Sequence, residues 1–224
     1  MSVILSIEGN IGSGKSTIIE YLKNNINDKN IIFLPEPVDE WEKIKDNNNN
    51  TVLQNFYADQ KKYSFAFQMM AYISRLNLLR NTIKKNPNKI IITERSLFTD
   101  KYVFAQMLYD ANNMNEIEYQ IYNNWFESFL DLAPVSKMIY LKTDPKVSFQ
   151  RIGIRNREGE SNIPFDYIEN CHLYHNNMYD KIHFEKKIID CTNDFNKDPN
   201  YFQLVSKNII DFAYHNSSIS EISL

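Results

Sequence analysis

The chain has 224 residues, 43% hydrophobic and 24% charged, with a formal net charge of −3. This is ordinary globular usage, with enough chain for a full core, and it excludes a broad basic surface for nucleic acid. No apolar run approaches the ~18 residues of a membrane span.

In chain order, short β-rich apolar runs stand at Val3–Ile7, Ile31–Leu34, Ile90–Thr93, Met138–Leu141 and Lys187–Asp190. Helical patterns separate them at Ser16–Asn24, Tyr63–Lys84, Asp100–Tyr109, Glu116–Leu130, Pro145–Arg155 and Pro164–Met178. Strands that alternate with helices predict βαβ units, a parallel sheet and the α/β class. No repeat or linker-like shift of composition occurs, so residues 1–224 read as one domain, weakly ordered over 217–224. The run Asn47–Asn50 reads as a surface loop. Cys171 and Cys191 have no CxxC neighbour and read as reduced thiols. With the first strand beginning by Val3, no leader is legible, and a cytosolic protein is expected.

The chemistry begins directly after the first strand. Gly9-Asn10-Ile11-Gly12-Ser13-Gly14-Lys15-Ser16 matches G-x-x-x-x-G-K-[ST], with Thr17 next in the helix. Glycines let backbone N–H groups turn in around phosphate oxygens, and the helix adds the positive end of its dipole. Lys15 would reach the β- and γ-phosphates and Ser16 would ligate Mg²⁺. Three of the five glycines of the chain fall here. The loop predicts ATP or another nucleoside triphosphate as ligand.

Glu36 follows the second strand, held between Pro35 and Pro37. Each proline fixes its own φ and restrains the residue before it. Alone, this reads as a strand stopped by prolines with a solvated carboxylate, and the rest of the sequence has to shift that reading. The third strand ends in Thr93-Glu94-Arg95-Ser96. In an open parallel sheet ligands lie beyond the carboxyl ends of the strands, so Glu36, Glu94 and Arg95 point to one crevice. Glu94 suits Mg²⁺, and Arg95 suits charge on transferring oxygens.

Arg151, Arg155 and Arg157 lie near a helix C-terminus, where cations favour the dipole. With a phosphate loop in the chain they also read as an arginine-rich lid, with Gly153 and Gly159 supporting mobility. Phe67, Gln68, Ala71 and Arg75 share one face of the long helix. An amide and a guanidinium on an apolar face suit a base pocket, and Arg75 would need a partner if buried. His172 and His175 have no acidic or cysteine cluster beside them to complete a metal site, so they read as structural.

These stretches together resemble the deoxynucleoside kinases of the deoxycytidine and deoxyguanosine kinase type. The likeness runs in order through IEGNIGSGKST, PEPVDEW, FAFQMMAYISR, TERSLFTDKYVFA, RIGIRNR, IPFDYIENCHLYH and DCTNDF, nearly the whole chain. It implies the P-loop kinase fold, with five parallel strands and helices on both faces, and a homodimer. The implied activity is transfer of the γ-phosphate of ATP, with Mg²⁺, to the 5′-hydroxyl of a deoxynucleoside in nucleotide salvage. By the same resemblance Glu36 is the catalytic base, Glu94 belongs to the metal and phosphate shell, and Arg95 lies by the 5′-oxygen. Tyr57 and Glu169 would hold the sugar 3′-hydroxyl, and Gln68 would pair with the base edge. Trp41, Phe67 and Phe104 would wall the base, with Arg75 and Asp100 as a charged pair beside it. Asp194 and Phe195 would contact the adenine of ATP.

Two rivals remain at this point. A nucleoside monophosphate kinase of thymidylate kinase type needs cations for its acceptor phosphate, where this chain offers carboxylates and a tyrosine. A nucleotide-binding switch without phosphotransfer leaves Glu36 without a role. The Arg75–Asp100 pair further predicts preference for deoxycytidine, deoxyadenosine or deoxyguanosine over thymidine, whose C5 methyl group would meet polar groups. The aromatic surplus of YVFAQMLY and YQIYNNWFESFL also points to an interface between two copies.

Overall fold

The computed structural model describes residues 2–132, 134–157, 159–160, 163–193 and 198–215. Strands β1 (Val3–Glu8), β2 (Ile31–Leu34), β3 (Ile90–Glu94), β4 (Lys137–Lys142) and β5 (Glu185–Asp190) form one sheet in the order β2-β3-β1-β4-β5. Every neighbour is parallel. β1, β2 and β3 are rich in isoleucine, and side chains of the sheet alternate between two cores. Ile4 of β1 and Ile91 of β3 join one apolar cluster, whereas Leu5, Ile7, Ile90 and Ile92 join the other.

Helices cover both faces. α1 (Lys15–Asn25) and α10 (Pro199–Tyr214) pack on the second cluster through Ile18, Leu22, Val205 and Ile209. α4 (Gln60–Lys85) and α7 (Glu116–Phe129) pack on the first through Tyr72, Leu76, Tyr122 and Phe126. α9 (Phe165–Lys181) packs on Met138 of β4 through Met178, and α8 (Pro145–Arg155) packs beside α9 through Ile152 and Ile168. The short helices α2 (Val38–Trp41) and α3 (Val52–Ala58) fill the connection from β2 to α4.

The strands and long helices read from sequence are present within a few residues at each end. The differences have local causes. α1 begins at Lys15 rather than Ser16, because Gly14 takes the left-handed φ of 95° and turns the chain into the helix. The stretch read as one helix from Asp100 is α5 (Leu97–Thr99), a π-helical turn (Asp100–Ala105) and α6 (Gln106–Asp110). In that turn the Gln106 N–H reaches back five residues to the Lys101 carbonyl. The sequence reading stops at Asp190 and misses α10, whose Val205, Ile209 and Ala213 lie buried at helical spacing behind an Asp198-Pro199 start.

Because β1 is flanked by β3 and β4, the chain leaves it in one direction towards β2 and later returns to its other side. Ligands bind at that reversal, beyond the carboxyl ends of the strands. The loop from β1 to α1, the end of β2 and the end of β3 all meet there.

Candidate active site

A cleft of about 640 Å³ opens at that place. It is lined by the loop residues Ile11, Gly12, Gly14, Lys15, Ser16 and Thr17, and by Glu36, Glu94 and Arg95 from the strand ends. Gly12 is close-fitted, since a Cβ there would meet the Ser148 carbonyl oxygen at 2.3 Å. Asn10 ties the loop to α9 by donating from Nδ2 to the Ile168 carbonyl at 2.9 Å. Lys15 Nζ curls back on the Asn10 and Gly9 carbonyls at 2.7 and 3.0 Å. Burial, and Arg95 beside it, push the Lys15 amine down to about 7. Anionic phosphate would restore its charge.

Ser16 donates its hydroxyl to Glu94 Oε1 at 2.7 Å. The pair anticipated as metal-binding is therefore assembled. Among the described residues no group of three His, Cys, Asp or Glu side chains could cage a metal. A hydroxyl and one carboxylate fit a divalent cation that arrives with substrate phosphates and keeps waters.

Arg75 organises the centre. It is 6% exposed, and every edge of its guanidinium is used. Nε and Nη2 donate to the two Asp100 oxygens at 2.9 and 3.2 Å, Nη1 to the Glu94 carbonyl at 3.2 Å, and Nη2 also to Glu36 Oε1 at 2.8 Å. Arg95 Nε lies 3.6 Å from the same Glu36 oxygen. Burial raises the Glu36 carboxyl, but the two guanidiniums outweigh it and hold it at about 2. Burial raises the Asp100 carboxyl, and its pairing with Arg75 lowers it without outweighing burial. Glu36 Oε2 has no protein partner among the described residues.

The apolar end of the cleft is a box. Phe56 stacks on Phe67 at 4.5 Å, Trp41 meets Phe67 edge-on at 5.7 Å, and Trp41 Nε1 donates to Ser74 Oγ at 2.8 Å. Ala71 supplies a small floor, and Phe104, from the π-helical turn, packs on the Arg95 guanidinium at 4.9 Å. Gln68 lines the box at 2% exposure with Oε1 unpartnered. A buried amide oxygen without a partner costs free energy, and a bound molecule with an N–H would relieve it.

Two anticipated placements change. Glu169 is exposed on α9 and does not line the cleft. Glu160, in the loop before α9, does so at 6% exposure. Burial, and then the Glu160 charge, raise the Tyr57 hydroxyl well above its usual range. The arginines also differ from an open lid. Arg155 and Arg157 both pair with Glu160, and Arg151 donates to the Cys191 and Asn193 carbonyls at 3.0 and 2.7 Å. Gly153 stands inside α8, so it is no hinge at a helix end. Asp194 and Phe195, anticipated at the adenine, lie outside the described residues, as does the segment 217–224. Val38, Leu53, Phe56, Glu160 and Tyr167 line the cleft without having been anticipated. Phe56, next to Tyr57, had the legible signal of an aromatic pair.

A phosphate loop, strand-end carboxylates and convergent arginines on this sheet order define a P-loop kinase fold. A family model described as deoxynucleoside kinase matches residues 5–213, and the chain belongs to that family. It is a phosphotransferase that moves a phosphoryl group from ATP, with a divalent metal, to the 5′-hydroxyl of a deoxynucleoside. It is 33% identical over 216 residues to a probable deoxycytidine kinase of fowlpox virus (strain NVSL), covering 93% of this chain and 87% of that one. It is 34% identical over 191 residues to deoxycytidine kinase of Homo sapiens, covering 76% and 73%. It is also 31% identical over 195 residues to mitochondrial deoxyguanosine kinase of Xenopus laevis, covering 79% and 73%.

Proposed function

We propose that residues 1–224 act as one domain in which Glu36 is the general base, Lys15 and Arg95 hold the transferring phosphoryl group, and the aromatic box holds the base. The observation that carries this reading is the shared cleft. Glu36, Arg95, Lys15 and the unpartnered Gln68 oxygen line one space.

A deoxynucleoside in the box sends its 5′-hydroxyl towards Glu36 Oε2. The hydroxyl oxygen attacks the γ-phosphorus, the bond to the β-bridging oxygen breaks, and ADP leaves. Glu36 takes the hydroxyl proton. Held ionised by two guanidiniums, it is a weak base, so it orients the hydroxyl first and receives the proton late, once bond formation has made the hydroxyl acidic. Lys15 and Arg95 stabilise charge on the equatorial oxygens. Mg²⁺, held by Ser16 and Glu94 with the phosphates, would neutralise charge on the β- and γ-oxygens. Arg155 and Arg157 would exchange Glu160 for phosphate, which frees Glu160, with Tyr57, to accept from the 3′-hydroxyl.

The acceptor is a nucleoside rather than a monophosphate, because the carboxylates Glu36 and Glu160 would repel a phosphate. The base is cytosine, adenine or guanine in preference to thymine. Arg75 and Asp100 would face its polar edge, where an Asp100 oxygen can accept a further hydrogen bond from an exocyclic amino group and a methyl group supplies none. The two buried thiols, Cys171 and Cys191, agree with a cytosolic location. A homodimer forms through α4 and α7, whose Ile73, Ile117 and Trp125 are 53%, 71% and 47% exposed.

Incubation with ATP-Mg²⁺ and a panel of deoxynucleosides and their monophosphates tests the reading. Deoxynucleosides should be converted to 5′-monophosphates and monophosphates left unchanged. Glu36→Gln should lower kcat by about 10²-fold or more, the scale of general-base catalysis, with nucleoside affinity within a few fold. Conversion of monophosphates alone would overturn it.

A further inference from the structure

His175 is fully buried on α9, and reading it as structural leaves its polar contacts unexplained. Nδ1 lies 2.6 Å from the Cys171 carbonyl oxygen. A carbonyl only accepts, so Nδ1 carries the ring proton and Nε2 presents a lone pair. That lone pair lies 3.3 Å from Arg95 Nη1, and a guanidinium only donates. The contact is therefore a hydrogen bond from Arg95 to a neutral imidazole. Burial first, then the charge of Arg95, hold the imidazole well below its ordinary pKa, so it persists as the neutral acceptor.

The bond completes a frame around Arg95. The same Nη1 donates to the Gly9 carbonyl at 2.8 Å, so both its hydrogens are engaged. Nε faces Glu36 at 3.6 Å, and Phe104 covers the guanidinium plane at 4.9 Å. Nη2 has no protein partner among the described residues and is the part left for a bound molecule. The Arg95 backbone has a φ of 62°, a left-handed conformation that a non-glycine residue keeps only when its surroundings hold it. His175 is itself clamped, parallel to Tyr140 at 5.9 Å and edge-on to Phe104 at 6.2 Å.

We propose that His175 is a positioning residue for phosphoryl transfer: its Nε2 lone pair fixes the roll of the Arg95 guanidinium, so that Nη2 meets the transferring oxygens. This rests on the reading of Arg95 as a catalytic residue. A small misplacement of such a group lowers the rate without loosening the substrate.

Two amides separate this role from simple filling of space. Gln places its amide near the Nε2 position and can accept from Arg95. Asn places it near Nδ1, keeping the Cys171 contact and losing the Arg95 contact. Measured on the full chain with ATP-Mg²⁺ and its best deoxynucleoside, His175→Asn should lower kcat about tenfold or more, with both KM values within about threefold. His175→Gln should retain kcat within about threefold. Arg95→Lys should lower kcat, and the double variant Arg95→Lys/His175→Asn should fall no further, because coupled residues are not additive. Arg95→Lys at the wild-type rate would overturn the Arg95 reading and this proposal with it. An impaired Arg95→Lys beside a His175→Asn of wild-type kcat, or losses that multiply in the double variant, would overturn only the positioning role. Should His175→Asn not fold, ¹⁵N ring shifts of wild-type His175 decide. A protonated Nδ1 with a bare, hydrogen-bonded Nε2 supports the proposal, and a protonated Nε2 overturns it.

Discussion

Arg75 and Arg95 converge on one oxygen of Glu36, and that convergence sets the site's response to acid. The Glu36 carboxyl titrates near 2 in the folded chain against an ordinary value of 4.5. Between those values the unfolded chain binds more protons, so stability rises with pH there. The Glu36 contribution is complete above about pH 4.5 and lost as pH falls towards 2, and at most it is about 3 kcal/mol. Denaturant unfolding of wild type and Glu36→Gln should therefore differ most at neutral pH and converge from pH 4.5 to 3; a constant gap would contradict the pairing. Arg75 calls for a different substitution from a surface arginine. Arg75→Met alone leaves Asp100 buried without its partner, a loss of about 3–5 kcal/mol. Arg75→Met/Asp100→Asn removes both charges, and should fold better than the single variant and raise thymidine kcat/KM relative to deoxycytidine. A wild-type enzyme that already prefers thymidine would contradict the pocket assignment.

At the scale of elements, helices carry side chains into the cleft while loops between them set the angles. α4 lays Phe67, Gln68, Ala71 and Arg75 along one buried face, as the 3.6-residue period of its sequence requires. The π-helical turn brings Asp100 and Phe104 to the same cleft from the opposite wall, and such turns recur at functional sites. α8 ends at Asn156, whose left-handed φ of 46° redirects the chain after Arg155. Within α8, Gly153 is exposed, and a Cβ built there meets nothing within 4 Å. Gly153→Ala should therefore stabilise the protein by about 0.5–1 kcal/mol. Thermal unfolding should show a rise of about 1–4 °C. An unchanged or lower Tm would mean that α8 needs the glycine for a bend.

At the scale of the molecule, α4 and α7 pack together through Tyr72, which donates to the Trp125 carbonyl at 3.0 Å. Their outer side shows Ile73, Ile117 and Trp125, more large apolar surface than a solvated helix pair leaves open. The resulting expectation is a homodimer whose light-scattering mass is twice that of one chain at micromolar protein. Trp125→Asp should yield monomers with the unfolding transition largely kept, because Trp125 is 47% exposed in the single chain. A wild-type monomer at that concentration would remove the interface.

What the sequence determined by itself is local or periodic. The phosphate loop was legible because its glycines, Lys15 and Ser16 are contiguous, and the sheet because apolar β-branched runs recur between helical periods. The face of α4 followed from helical spacing alone. Only the tertiary structure decided which carboxylates belong together. Glu160 and Glu169 are both acidic residues near Pro164, and burial of the first against Arg155 and Arg157 separates them. Nor could spacing foresee that Arg75 bridges Asp100 to Glu36, or that His175 accepts from Arg95. Those pairs lie 25, 39 and 80 residues apart in the chain. Contacts at such separations depend on how strands order and helices close over them, and no local pattern encodes that arrangement.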